Sequence, residues 1–177
     1  MNRRVAIRNV VIISAGAAIL PSCHDADKIS LELKHLSITN SQEKLLAALS
    51  ETIIPTTSNF IGAKELKSHG FVLTMVDDCA SPDDQKKFTD GLTAFSALCK
   101  KKWDREFENC TVQQRNELVA EVEQKKNISE AVFGFYGTVK SYTLQSFTGS
   151  RDFMTEIRKY KLVPGPVYKG CVPVSVS

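Results

Sequence analysis

The sequence predicts an all-α fold: a single compact domain of about five to six helices with an extended C-terminal arm that contains proline and glycine. Apolar residues recur at helical spacing in successive segments between residues 39 and 159. Several of these segments begin with Ser or Thr, which favour the N-cap position of a helix. No stretch of the sequence makes a convincing sheet, so the helical class follows.

The first two helices are delimited by a capping box, a proline and a glycine. Residues 39–42, Thr-Asn-Ser-Gln, have capping-box spacing. Pro55 ends the first helix because proline lacks an amide hydrogen and clashes with the preceding turn. Gly62 is predicted to open the second helix. The expected apolar faces are Leu45, Leu46, Leu49 and Ile53 in the first helix, and Phe71, Val72, Met75 and Val76 in the second.

The remaining helices follow from their N-terminal signals. Residues 81–84, Ser-Pro-Asp-Asp, combine an N-cap, a proline in the first turn and acids at the positive end of the helix dipole. Residues 111–114 start a helix to about residue 125, Ser129 starts the most apolar helix, and a short piece runs from 150 to about 159. The predicted inward residues are Phe88, Leu92, Phe95, Leu98 and Cys99; Val112, Leu118, Val119 and Val122; and Val132, Phe133, Tyr136, Val139, Leu144 and Phe147.

The C-terminal arm differs from the helical part in composition. Residues 160–174 contain three prolines and two glycines, which exclude a helix. Their alternating apolar residues predict an extended segment lying on a surface.

The N-terminus has the features of a bacterial export signal. Residues 1–22 contain Arg3, Arg4 and Arg8, an apolar run from Val10 to Leu20, and a small-residue exit. Arg3-Arg4, followed by an apolar pair and a third arginine, resembles the twin-arginine signal, which carries folded proteins across a membrane. An ordinary secretory leader with an arginine pair is the alternative.

Cys23 follows this apolar run at the place of a lipid-modified cysteine. We therefore expect an exported, periplasmic protein that is lipid-anchored to the membrane through Cys23, with residues 23–38 as a polar tether and residues 39–177 as the helical domain. A buried core cysteine is the alternative interpretation of Cys23.

Charge excludes one class of partner. The formal net charge is +3, and Arg3, Arg4 and Arg8 supply all of it, since residues 1–22 contain no acid. The part after the leader is neutral. A surviving basic face is what nucleic-acid binding requires, so the sequence gives no reason to expect nucleic acid as a partner.

Four cysteines remain after Cys23, and an oxidising compartment favours their pairing. Four cysteines allow three pairings, which the sequence does not distinguish. Cys99–Cys110 would close a short loop and leave Cys79–Cys171 to tie the arm to a helix. Free thiols packed in the core are the alternative.

The sequence contains no recognisable catalytic, cofactor-binding or metal-binding motif. A Cys-x-x-Cys-His haem site, a glycine-rich dinucleotide loop and a phosphate-binding loop are all missing. His24, His35 and His69 form no metal-ligand pair. Asp77 and Asp78 point in different directions on a helix, so a solvated helix end is the expected role. We assign no catalytic, cofactor or metal residue to the chain and expect it to bind a partner.

Several stretches, in order, resemble the gluconate 2-dehydrogenase subunit 3 family, the small subunit of membrane-bound sugar and sugar-acid dehydrogenases. They lie between residues 40 and 174: residues 49–57, Leu-Ser-Glu-Thr-Ile-Ile-Pro-Thr-Thr; residues 62–64, Gly-Ala-Lys; residues 78–88, Asp-Cys-Ala-Ser-Pro-Asp-Asp-Gln-Lys-Lys-Phe; and residues 163–173, Val-Pro-Gly-Pro-Val-Tyr-Lys-Gly-Cys-Val-Pro.

The resemblance implies a non-catalytic subunit that accompanies a large flavoprotein of the glucose-methanol-choline oxidoreductase type. FAD belongs to that partner, and haem c to a c-type cytochrome that often takes the electrons. The small subunit escorts the large one through export. The motifs carry over as candidate interface: Ile53, Ile54 and Pro55, and Gly170, Cys171, Val172 and Pro173. Internal packing of these residues, and a stand-alone lipoprotein that binds or scaffolds something else, are the alternatives.

Overall fold

The computed structural model describes residues 29–160, which form five α-helices joined by turns and loops. We number them α1 (Asn40–Ile53), α2 (Ser68–Cys79), α3 (Pro82–Trp103), α4 (Val112–Glu123) and α5 (Glu130–Thr148). A 3₁₀ turn spans Phe107–Asn109, and a π-helical turn spans Phe153–Ile157. This part of the chain contains no β-strand, and the predicted all-α class is confirmed.

The predicted starts of four helices are confirmed by their hydrogen bonds. Thr39 and Thr111 each form a complete capping box with the glutamine three residues later. Ser81 and Ser129 accept a hydrogen bond from the backbone N–H three residues later. These bonds satisfy amide groups that have no partner inside the helix, which is why the helices begin at these residues.

Helix α5 lies at the centre of the domain and packs mainly against α3 and α2. Four buried rings hold this centre together: the ring centroids of Phe95 lie 5.2 Å from Phe107 and 5.7 Å from Phe135, and Phe88 lies 5.2 Å from Phe135. Gly91 permits the close crossing of α3 and α5, because a Cβ there would lie 2.5 Å from the carbonyl oxygen of Ala131. The position of α5 is therefore fixed by close packing.

Two inward-facing predictions were wrong. Val112 is 71% exposed and Leu144 is 42% exposed. At 3.6 residues per turn, Val112 lies about 240° around α4 from the buried Leu118, and Leu144 lies about 140° around α5 from the buried Val139. Both side chains therefore fall outside the stripe that faces the core, despite being apolar.

The second helix begins later than predicted. Gly62 was expected to open it, but residues 62–67 form turns and α2 starts at Ser68. Lys67 has a φ of 52°, in the left-handed region, which a continuous right-handed helix does not allow. The interruption separates the turns after Gly62 from α2.

Residues 29–38 pack against the helices, although they were predicted to belong to the polar tether. Leu36 and Ile38 are buried in the main core, and Leu31 and Leu33 pack against it. The predicted domain boundary at residue 39 therefore lies inside a packed segment, because these apolar side chains complete the core.

None of the helices within residues 29–160 is long and apolar enough to cross a membrane. The export signal with Arg3 and Arg4, the lipidation site Cys23, and the arm residues Gly170, Cys171, Val172 and Pro173 lie outside the described residues and stay predictions.

Candidate functional site

The predicted interface residues at the end of α1 divide between core and surface. Ile53 is half-buried and packs against the core cluster. Ile54 is also half-buried, and its carbonyl oxygen accepts a hydrogen bond from the backbone N–H of Ala63 at 2.9 Å. Pro55 is exposed. Internal packing therefore accounts for Ile53, while Ile54 and Pro55 border the loop that follows the helix.

The carboxylate of Glu51 holds both ends of this loop. Its Oε1 accepts a hydrogen bond from the backbone N–H of Thr56 at 2.8 Å, and its Oε2 accepts one from the backbone N–H of Lys64 at 2.9 Å. Hydrogen bonds to an ionised acceptor are stronger than those between neutral groups. Residues 54–64 are thus a closed loop, which we call the Glu51 loop. Glu51 lies within a family motif, but no local rule indicates this role.

Gly62 is required where the Glu51 loop closes. A Cβ at this position would lie 2.4 Å from the backbone nitrogen of Thr56 and 2.8 Å from Glu51 Oε2. The N–H of Gly62 donates to Thr56 Oγ1 at 3.1 Å. The glycine is therefore explained by close approach of the backbone rather than by the predicted helix start.

A tight turn at the tip of the Glu51 loop presents an aromatic ring to solvent. Thr57 N–H donates to the carbonyl oxygen of Phe60 at 3.0 Å, and Phe60 N–H donates back to Thr57 Oγ1 at 3.2 Å. The Phe60 side chain is 39% exposed. Ile54, Pro55 and Phe60, which we call the loop edge, give this loop an apolar surface. Nothing in the sequence analysis singled out Phe60.

Asp77 is a buried carboxylate that the sequence analysis assigned to a solvated helix end. Only 3% of the Asp77 residue surface is exposed to solvent. Oδ1 accepts hydrogen bonds from the backbone N–H groups of His35 at 2.8 Å and Leu36 at 2.7 Å, and Oδ2 accepts one from Lys34 at 2.8 Å. Burial acts to raise the pKa of Asp77, but the three donors favour the carboxylate and the pKa is lowered overall.

Asp77 therefore ties residues 34–36 to the end of α2. Its neighbour Asp78 is exposed and forms an ion pair with Lys34 Nζ at 3.0 Å. The donors to Asp77 are 41 to 43 residues away in sequence, so no local pattern could reveal the contact. Its role is structural, since all of the described hydrogen bonds of its carboxylate come from the backbone of this chain.

A second buried carboxylate holds the start of the described chain. Glu43 accepts hydrogen bonds from the backbone N–H of Ser30 at 2.9 Å and from the Ser30 hydroxyl. His69 Nε2 lies 3.7 Å from Glu43 Oε1. Burial lowers the pKa of His69 against the raising effect of Glu43, so the ring is neutral at pH 7. No group of three metal-ligand residues occurs within residues 29–160.

The cysteines fall into two environments. Cys99 and Cys110 are buried thiols whose sulfur atoms lie 3.4 Å apart. Burial, with the nearby Cys110, raises the pKa of Cys99 to about 12, so it is not a reactive nucleophile. Cys79 is exposed at the end of α2, and its predicted partner Cys171 lies outside the described residues. Both disulfide pairings stay predictions.

A groove of about 720 Å³ lies where the α2–α3 turn meets α5. Val76, Ala80, Phe88 and Phe135 form much of its apolar floor, and Cys79 lies at its edge. Gly134 of α5 also lines the groove, and a Cβ there would meet nothing within 4 Å. The groove is thus an open surface feature with apolar and charged lining, separate from the Glu51 loop.

Comparison with known proteins gives one family. The model described as "Gluconate 2-dehydrogenase subunit 3" matches residues 40–165, which include the Glu51 loop, Asp77 and the groove. No curated protein and no solved structure matches the chain.

Proposed function

The chain belongs to the gluconate 2-dehydrogenase subunit 3 family, and on this premise we propose that it is the non-catalytic small subunit of a membrane-associated, FAD-dependent sugar or sugar-acid dehydrogenase complex. The family description names a subunit of a dehydrogenase, and a subunit has a binding partner. In this proposal FAD and the catalytic groups belong to a large flavoprotein of the glucose-methanol-choline oxidoreductase type. A c-type cytochrome accepts the electrons.

The Glu51 loop is the observation that carries the binding role. The Glu51 carboxylate holds it at Thr56 and Lys64, at 2.8 and 2.9 Å, so the loop edge is presented on a rigid support. Preorganised loops lose little conformational freedom on binding, and exposed aromatic rings are frequent anchors of protein interfaces. We propose that Ile54, Pro55 and Phe60 contact the large flavoprotein. The arm residues 170–173 remain the second candidate contact.

Export is the second part of the proposal. Arg3 and Arg4 would direct the chain to the twin-arginine route, which transports folded proteins, and Cys23 would anchor it by lipid. FAD is inserted in the cytoplasm, so a flavoprotein must cross the membrane already folded. A small subunit that carries the export signal would bring the large subunit with it.

Co-purification tests the binding role. A tagged chain isolated from native membranes should bring a large subunit with a flavin absorbance spectrum. Phe60→Asp should weaken this binding by about 30-fold, since an interface anchor contributes about 2 kcal/mol. Val112→Asp is the matched control, because Val112 is also an exposed apolar residue but lies on α4. Recovery of the folded chain without any flavoprotein would favour the stand-alone lipoprotein instead.

Replacing Arg3 and Arg4 by lysines tests the escort role separately. An ordinary secretory signal needs only positive charge and would tolerate the change, whereas a twin-arginine signal depends on the guanidinium groups. Cell fractionation should find both this chain and the flavoprotein in the cytoplasm. Normal export of the flavoprotein in this variant would reject the escort role, and normal export of this chain would reject the twin-arginine route.

A further inference from the structure

The groove between the α2–α3 turn and α5 is open to solvent, and no part of residues 29–160 fills it. Phe88 and Phe135 belong to the core, yet both line this open volume of about 720 Å³. Gly134 contributes no side chain to cover it. The rings are themselves buried, at 4% and 2% exposed, so the open lining is formed by smaller residues such as Ala131 and Gly134. An extended segment with small apolar side chains would fit between these residues without displacing a helix.

Cys79 places an exposed thiol at the groove. It is the exposed cysteine of the described chain, and it lines the groove. Cys99 and Cys110 face each other in the core at 3.4 Å, so neither is placed to reach Cys79. With Cys23 at the proposed lipidation site, Cys171 is the remaining cysteine in the sequence.

The described chain ends near the end of α5, because the Phe153 ring packs on Phe147 with centroids 5.4 Å apart and Tyr160 N–H donates to the carbonyl oxygen of Met154 at 2.8 Å. The hydroxyl groups of Ser146 and Ser68 are 3.0 Å apart, so the end of α5 meets the start of α2. Cys79 lies at the other end of α2, about 17 Å further along at 1.5 Å per residue. The 11 residues from Tyr160 to Cys171 span up to about 36 Å when extended.

The composition of the C-terminal segment also suits the lining of the groove. Residues 161–177 contain Leu162, Val163, Val167, Tyr168 and Val172 among their apolar side chains, and their only charged side chains are Lys161 and Lys169. Around the groove, Asp84 pairs with Lys87 and Asp90 pairs with Lys86. Glu130 also lines the groove and has no ion-pair partner among the described residues. The groove therefore offers an apolar floor and an uncompensated carboxylate to a basic, apolar segment.

We propose that the C-terminal segment 161–177 of this chain occupies the groove and that a Cys79–Cys171 disulfide fastens it there. The two thiols lose two protons and two electrons in forming the S–S bond. A disulfide-bearing protein oxidant accepts them by thiol–disulfide exchange and leaves as a dithiol. This oxidation rests on the proposed export, whereas the docking of the segment does not.

The test measures how strongly the groove favours the disulfide. The full chain is expressed with its leader, and the exported protein is purified from the cell envelope. Peptide mapping without reduction should find Cys79 and Cys171 in one cross-linked pair. The purified protein is then equilibrated in glutathione buffers of varied redox ratio, which gives the effective concentration of Cys171 at Cys79. A flexible tether gives millimolar values, and docking should raise this at least 10-fold.

Two glycine variants separate docking from simple tethering. Gly134→Trp fills the groove and should lower the effective concentration at least 10-fold. Gly137→Trp is the matched control: it introduces the same side chain on the same helix, also into open space, but outside the groove. It should leave the value unchanged. Far-UV circular dichroism should show equal helix content in both variants.

Two results would overturn the proposal. They are a free Cys79 or a different partner for it in the exported protein, and equal effective concentrations in the two tryptophan variants. The glutathione measurement needs no flavoprotein, so failure of the proposed flavoprotein binding leaves it intact, whereas the peptide mapping depends on export.

Discussion

Replacing Asp77 by asparagine changes one atom of the carboxylate that ties residues 34–36 to α2. The carbonyl oxygen of the new amide side chain can keep the two hydrogen bonds from His35 and Leu36, which are 2.8 and 2.7 Å long in the native chain. The NH₂ group of that amide then faces the N–H of Lys34, which in the native chain bonds to Asp77 Oδ2 at 2.8 Å. Two donors would oppose each other, and one buried N–H would lose its acceptor.

The expected loss is about 2 kcal/mol, because a hydrogen bond to a charged acceptor contributes about 1.5–3 kcal/mol. For a chain of this length that corresponds to a fall in melting temperature of about 4–8 °C. Asp77→Ala removes both acceptor oxygens and all three hydrogen bonds, and should cost about 3 kcal/mol or more. The loss of unfolding free energy has an upper limit, because residues 29–38 can detach from the helices. Their freed N–H groups then form hydrogen bonds with water.

Denaturant unfolding followed by circular dichroism measures these changes. Asp78→Asn is the control, because its exposed ion pair with Lys34 is screened by solvent and should leave stability almost unchanged. The native pKa of Asp77 is lowered, so its contribution is present above the ordinary aspartate pKa near ~4 and is lost as pH falls through the native value. An unchanged unfolding midpoint for Asp77→Asn, or a difference that persists once the native carboxyl group is protonated, would refute the argument.

Three further predictions concern other parts of the chain. Gly62→Ala should destabilise the domain by about 1–3 kcal/mol in denaturant unfolding, since the new Cβ would overlap the loop backbone. The control Gly137→Ala should be neutral or stabilising. Equal stabilities of the two variants would contradict the loop geometry. In the reduced protein at pH 8, a maleimide should modify the exposed Cys79 much faster than the buried Cys99, whose pKa is raised to about 12. Mass spectrometry of the labelled peptides measures the two rates, and faster labelling of Cys99 would contradict this prediction. Cys23→Ala should release the chain from isolated membranes without changing its helix content, because stable anchoring requires the acyl chains; a variant that still sediments with membranes in the absence of a partner would show that lipid is not the anchor.

The helix starts could be predicted because their causes are local. Thr39 accepts from Gln42 three residues later, and Ser81 has its proline and acids in the next turn. A window of a few residues contains all of the groups involved. The same holds for Pro55, whose missing amide hydrogen ends a helix without help from distant residues.

The candidate site could not be predicted in this way, because its contacts join distant residues. Glu51 reaches Lys64 across 13 residues, and Asp77 reaches Leu36 across 41. Gly62 and Phe60 owe their places to these contacts rather than to local preference. Apolar character alone also overestimates the core: Val112 is apolar, but its angle of about 240° from Leu118 places it outside the stripe that faces the core.

The hydrogen bonds between Ser30 and Glu43 set the length of the linker between the domain and its proposed lipid. Ser30 N–H donates to Glu43 at 2.9 Å, so the chain is held to the domain from this residue onward. From Cys23 to Ser30 there are seven residue steps, which span at most about 25 Å. A lipid on Cys23 would therefore keep this side of the domain within the extended length of this linker from the lipid headgroups. The tethered domain would be restricted in tilt as well as in distance, and a bound flavoprotein would be presented to the membrane surface in a narrow range of orientations.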